Sequence, residues 1–221
     1  MNSNFKIEQL ENPINWIDEM IDENSKPNYV NGLLPNVYTN YFKLYFPVGL
    51  TNATDNTSIP KTYKEIASIA NLDYASNFSY MNLVKKFGGI PSNFVIIKEN
   101  DEVFIDKFVN IFGSDTNVIF EDIGDDIYPE EFEVAWKIEG KLELLKDIFI
   151  KLNKDNYHDF NYFPTYIYAK DKSWCTATKI FQSGLIVLGC NKILADKIQA
   201  QNIIDFQEIK YGDEYFEFIN Q

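Results

Sequence analysis

The sequence predicts an α+β fold: one domain over residues 1–221, built on a mainly antiparallel sheet with helices packed against it. Three observations carry this reading. First, Trp174-Cys175-Thr176-Ala177-Thr178-Lys179-Ile180 and Leu185-Ile186-Val187-Leu188-Gly189-Cys190 are apolar, β-prone runs joined by a tight turn at Gln182 to Gly184. Two such runs form a hairpin, and a hairpin is antiparallel by construction. Second, helix and strand patterns mix along the chain without the strict β-α-β rhythm of a doubly wound parallel sheet. Third, no repeat, low-complexity tract or linker divides the chain. Its 221 residues are 45% hydrophobic and include 18 Phe, 14 Tyr and 3 Trp. Aromatic rings in that number need a substantial core, and none of it has to be stapled by disulfide or metal.

The elements follow in order. A first helix is expected over about 13–23: Asn12 suits the N-cap, Pro13 the first turn, and Ile14, Ile17 and Ile21 share a face beside Trp16 and Met20. Gly32-Leu33-Leu34-Pro35 interrupts the chain. From Tyr38 to Pro47, Tyr41, Lys43 and Tyr45 alternate with Phe42, Leu44 and Phe46, the period-two signature of a strand. Residues Thr51 to Ser58 read as a polar loop. Thr62-Tyr63-Lys64-Glu65 is a capping box that opens a helix to Asn71. A short helix runs from Ser79 to Phe87 and stops at Gly88-Gly89.

Asp101 to Phe112 carries an apolar stripe of Val103, Phe104, Phe108, Ile111 and Phe112, with Gly113 as its stop. Strands are expected over Val118–Ile123 and Phe132–Glu139, the latter with Phe132, Val134, Trp136 and Ile138 on one face. Leu142 to Leu152 is helical. A polar loop around His158 leads to a strand at Tyr166–Tyr168 and then the hairpin. Asn191 caps a helix to Gln201, and Ile204 to Lys210 is the last strand. Phe108, Trp136 and Trp174 are expected in the core. With Gln182 and Ser183 as the hairpin turn, Cys175 would lie opposite Cys190.

The charge narrows the function classes. There are 33 acidic and 20 basic residues, a net charge of −13, and the basic residues are all lysine. Nucleic-acid binding draws its affinity from Lys and Arg, and Arg is the usual bidentate reader of guanine and phosphate. A nucleic-acid partner is therefore not expected. No run of about 18 apolar residues exists, so no membrane span is expected. The N-terminus is polar, without the apolar stretch of a secretory signal. The expected location is the cytoplasm of a bacterium, where both thiols stay reduced.

Few residues offer chemistry. Cys175 is a candidate nucleophile, but a catalytic cysteine needs a base and a depressed pKa. The one histidine, His158, stands in the polar loop Asn156-Tyr157-His158-Asp159. A cysteine inside an apolar strand fits the core better. The acidic run Glu121, Asp122, Asp125, Asp126, Glu130, Glu131 and Glu133 could hold a hard cation, yet its spacing is not that of an EF-hand and clustered acids also form solvated faces. The glycines show no phosphate-loop spacing, and no Gly-x-Ser-x-Gly elbow occurs. The expectation is no catalytic residue, no metal and no cofactor.

The C-terminal half resembles an uncharacterised bacterial family, most numerous in actinomycetes. The resemblance rests on Phe163-Pro164-Thr165-Tyr166 and Asp171-Lys172-Ser173-Trp174-Cys175-Thr176-Ala177-Thr178-Lys179-Ile180, which follow that family's Trp-Pro and Asp-Arg-Ser-Trp-Cys-x-Ala-Thr-Glu segments. Leu34-Pro35-Asn36-Val37-Tyr38 and Trp136-Lys137-Ile138-Glu139-Gly140 are similar to its earlier strands. Lys172, Lys179 and Cys190 stand where the family has Arg, Glu and a second Gly. The family implies a fold pattern over about residues 33–210 and no activity. The Leu34-Pro35-x-x-Tyr38 turn also resembles the immunity superfamily typified by yeast cell-wall regulator homologues.

Two functional expectations follow. One is a non-enzymatic protein-binding module, in its specific form an immunity protein that neutralises a basic toxin through an acidic face of Asp125, Asp126, Glu130 and Glu131. The other is a small-ligand binder or enzyme with a pocket near Trp174 and Asp171.

Overall fold

The computed structural model describes residues 5–10, 16–17, 19–22, 24–26, 28–52, 57–89, 91–97, 101–122, 134–154, 162–178, 184–201 and 203–216. Among these are eleven strands and five α-helices in one α+β domain. The strands are β1 (Glu8–Gln9), β2 (Asn40–Tyr45), β3 (Val48–Thr51), β4 (Ser58–Lys61), β5 (Phe94–Ile96), β6 (Asn117–Asp122), β7 (Trp136–Lys141), β8 (Tyr166–Ala169), β9 (Trp174–Ala177), β10 (Leu185–Cys190) and β11 (Phe206–Ile209). The helices are α1 (Tyr63–Ile69), α2 (Tyr80–Phe87), α3 (Asp101–Phe112), α4 (Leu145–Leu152) and α5 (Lys192–Gln201).

Eight strands form one sheet in the order β1-β7-β6-β8-β9-β10-β2-β11, and every pairing in it is antiparallel. Its two faces are both covered. On one face, Phe42, Leu44, Phe120, Trp136, Ile167, Trp174, Ile186 and Leu188 pack against α3, α4 and α5. On the other, Tyr41, Tyr45, Tyr168, Cys175, Leu185 and Val187 meet α1, α2, the segment around Val30–Leu34 and the C-terminal Tyr215 and Phe216. Burial on both faces explains why β10 is apolar at every position rather than alternating.

Local signals placed the helices. The Thr62 hydroxyl accepts from the Glu65 amide at 3.2 Å while the Glu65 carboxylate accepts from the Thr62 amide at 2.8 Å, the reciprocal box expected at α1. Helix α2 ends on Gly88 at φ 72°, a left-handed cap that favours glycine. The Asn191 side chain accepts from the Leu194 amide at 3.0 Å and opens α5. Of the helix expected over 13–23, residues 13–15, 18 and 23 lie outside the described residues, and Trp16, Ile17, Glu19 and Met20 lie in turns.

Three expectations change. Residues 142–144 form a 3-10 turn before α4 rather than its first turn. Strand β7 starts at Trp136, with Val134 exposed ahead of it. A second, three-stranded sheet of order β4-β3-β5 is present that was not expected; β3 and β4 flank the segment Thr51 to Ser58 read as a polar loop, of which residues 53–56 lie outside the described residues. Its strands are short, and Pro60 sits in the edge strand β4, so period-two patterning had little length in which to show.

The hairpin itself is present, but its register differs by one residue from the expected one. Cys175 pairs with Gly189 and Cys190 with Trp174. Because successive side chains alternate faces, this shift puts the two thiols on opposite sides of the sheet. Cys190 joins the core under α3 and α5, and Cys175 joins the core under α1 and α2.

Candidate functional site

The residues singled out from sequence go to different places. Cys175 is fully buried, and burial, then the Glu121 carboxylate, pushes its thiol well above the ordinary range. Burial pushes Cys190 up to about 12. A thiol so raised is the opposite of an activated nucleophile. Trp174 is buried edge-on against Phe112, with ring centroids 4.6 Å apart, and contacts Phe108 at 6.3 Å. Asp171 lies in the exposed turn between β8 and β9, where its carboxylate accepts from the Ser173 amide at 3.0 Å; the Ser173 side chain first, and then that amide, hold its pKa below the usual carboxylate value. His158, Asp125, Asp126, Glu130, Glu131 and Glu133 lie outside the described residues.

The start of the acidic run is internal rather than solvated. Asp122 accepts from the Thr165 amide at 2.8 Å and from its hydroxyl at 3.0 Å. Glu121 accepts from the Tyr168 hydroxyl at 2.9 Å. These two acids fasten β6 to β8 and its approach, which is a structural use.

The structure instead opens a cleft of about 380 Å³ where the large sheet meets the small one. The turn from β2 to β3 supplies Tyr45, Phe46, Pro47 and Val48. The end of β4 and the start of α1 supply Pro60, Lys61, Thr62 and Glu65. Helix α3 adds Val103, Phe104 and Lys107, and the chain entering β11 adds Ile203, Ile204 and Asp205. Tyr45, Phe46, Val48, Phe104 and Ile204 are buried, so they form the inner wall; Val103 is 48% exposed and stands at the mouth. Phe46 and Phe104 meet at 4.5 Å between centroids.

Asp205 is the charged group set deepest in this lining. Its Oδ2 accepts from the Tyr63 amide at 2.7 Å, and Oδ1 has no hydrogen-bond partner among the described residues. Burial pushes its carboxyl up to about 6. That value is the balance of burial, which raises it most, and the Glu65 carboxylate, which also raises it, against the Tyr63 N–H and the Lys43 ammonium, which lower it. Lys61 is paired with Glu65 at 3.3 Å.

No protein-family model, curated protein or solved structure matches the chain. The geometry therefore stands by itself. A half-buried carboxyl that titrates near neutrality, in a mostly apolar cleft, is the kind of group that functional sites hold at a cost in stability. Among the described residues the one threonine or serine hydroxyl in the lining, Thr62, is engaged in its capping box, and no Cys or His lines the cleft. Among the described residues no group of three His, Cys, Asp or Glu side chains could hold a metal. The arrangement can bind and orient a ligand and exchange a proton with it at Asp205. Sequence reasoning passed over Asp205, although a lone acid inside Ile203-Ile204-Asp205-Phe206 is an isolated charge in an apolar run and a readable signal.

Proposed function

We propose that the chain is a non-catalytic binding protein that recognises a basic protein partner, in its specific form an immunity protein that neutralises a toxin. The observation that supports this most is charge. The net charge is −13, and an acidic surplus remains after Lys43, Asp101, Glu121 and Asp122 are buried and Lys61, Lys137, Lys146, Lys170 and Lys192 pair with carboxylates. A surface of one sign steers an oppositely charged partner and loses that advantage as salt screens it over about 8 Å. No helix among the described residues is long and apolar enough to cross a membrane.

The acidic face assigned to this role comprises Asp125, Asp126, Glu130 and Glu131. The test is capture of a partner from native lysate at low and high salt, then rate measurements on the recovered complex. The quadruple variant Asp125→Asn, Asp126→Asn, Glu130→Gln, Glu131→Gln is expected to slow association more than it speeds dissociation. Equal binding at both salts would remove the electrostatic reading. Turnover of any substrate that Cys175→Ala or His158→Ala abolishes in a folded protein would replace it with an enzyme.

A second reading, a small-ligand binder, is favoured by the cleft at Asp205. Its volume falls within the range of ligand pockets, and its polar groups are few and set among apolar walls.

A further inference from the structure

We propose that the cleft between the two sheets binds a small apolar molecule carrying a protonated amine, with the Asp205 carboxylate as its counter-ion and the Phe46–Phe104 wall holding its apolar body. The inference rests on the reading of the cleft as a ligand site and names what that site takes.

Three features of the lining select this class. The inner wall is aromatic and aliphatic, which suits a hydrocarbon body. The polar group set into that wall is a carboxylate with one oxygen free, which accepts hydrogen bonds and offers no donor when ionised. Two lysines also line the cleft, but neither lies against Asp205: Lys61 pairs with Glu65 at 3.3 Å, and Lys107 is exposed on α3. A half-buried carboxylate and an ammonium form a charge-assisted hydrogen bond, stronger than the contact either makes with a neutral group. An anionic ligand would bring like charge against Asp205 and Glu65.

The surroundings of Asp205 also set the pH behaviour. Tyr63 and Glu65 face it from α1, Lys43 and Tyr45 from β2, and Tyr74 from the chain after α1. Each of the tyrosines is held well above its ordinary pKa by burial, so none ionises in the working range. Glu65 is held below the ordinary carboxylate value by its hydrogen bonds to Thr62, and Lys43, lowered by burial, lies outside the lining; of the lining groups Asp205 is the one pushed up to about 6.

The experiment compares three probes with one aromatic body: 2-phenylethylamine, 2-phenylethanol and 3-phenylpropionate. Binding is read by amide shifts of Val103, Lys107 and Ile203. The amine is expected to bind at least about tenfold tighter than the other two, because a charge-assisted pair replaces a neutral contact. Its affinity is expected to fall about tenfold from pH 8 to pH 5 as Asp205 takes up a proton, with the alcohol unchanged. Asp205→Asn keeps an acceptor for the Tyr63 amide and is expected to erase the amine's preference while leaving the alcohol's affinity in place. Val103→Trp, at an exposed position, is expected to block all three. An amine that binds no better than the alcohol, or a preference that survives Asp205→Asn, overturns the amine assignment and leaves the cleft a ligand site. Absence of shifts at the cleft with all three probes overturns the cleft reading itself.

Discussion

Asp205 shows how one residue can trade stability for availability. A carboxyl with an ordinary pKa of 3.8 when exposed and about 6 when folded is more readily protonated in the native state. The folded state therefore binds more protons between those values, and stability falls as pH rises through that window. At neutral pH the ionised group costs about 2–3 kcal/mol, from roughly 1.4 kcal/mol per pKa unit. Asp205→Asn is expected to melt higher than the parent at pH 7, and the difference is expected to vanish as pH falls towards 4. Thermal melts of both proteins over pH 4–7 measure it. A difference independent of pH would mean that the folded carboxyl titrates like an exposed one. The isolated acid in an apolar run was visible in the sequence. Its burial was not, because that depends on α1 and α3 arriving from distant parts of the chain.

At the scale of elements, the helices were legible because their signals are local. The capping box at Thr62 and Glu65, the Gly88 cap and the apolar stripe of α3 each act within a few residues. The strand β10 was legible as a strand, but its register was not. Register depends on the loop between β9 and β10 and on what covers each face, and one residue of slip exchanged the faces of Cys175 and Cys190. A tertiary contact reinforces the observed pairing. Gly189 sits between Cys175 and Tyr41 in the sheet, and a Cβ there would lie 2.3 Å from Cδ2 of the Tyr38 ring. That ring is itself buried and cannot simply swing away. Gly189→Ala is expected to destabilise the fold by about 1–3 kcal/mol, the usual cost of overpacking. Denaturant unfolding at constant m-value measures it, and an unchanged midpoint would show that Tyr38 repacks freely.

At the scale of the whole molecule, the segments around Asn28, Phe78 and Tyr215 are drawn onto one face of the sheet by a buried polar knot. Lys43, in the middle of β2, donates from Nζ to the carbonyl of Phe78 at 2.5 Å and to that of Tyr215 at 3.4 Å. Desolvation holds its pKa well below the ordinary lysine value. Asn28 donates to Glu214 at 2.5 Å and to the Phe216 carbonyl at 2.9 Å, while Asn77 donates to the other Glu214 oxygen at 3.1 Å. Lys43→Ala leaves a cavity and takes a donor from the Phe78 carbonyl, which the Tyr45 hydroxyl still reaches at 3.3 Å, and from the Tyr215 carbonyl; it is expected to cost about 2–5 kcal/mol. Hydrogen exchange at the Tyr215 amide, which is bonded to the Asn28 carbonyl at 2.9 Å, is expected to rise selectively in this variant. Lys43→Met keeps the volume and isolates the share due to the lost hydrogen bonds.

The sequence by itself determined the α+β class, the antiparallel hairpin, most helix boundaries and an excess of acidic charge, because periodicity, caps and composition are properties of a few neighbouring residues or of the whole sum. Only the tertiary structure decided that both faces of the sheet are covered, that Lys43 is internal, and that residues from β2, α1, α3 and the entry to β11 meet around Asp205. Those outcomes depend on contacts between segments far apart in the chain, where burial and desolvation are set by what arrives from elsewhere.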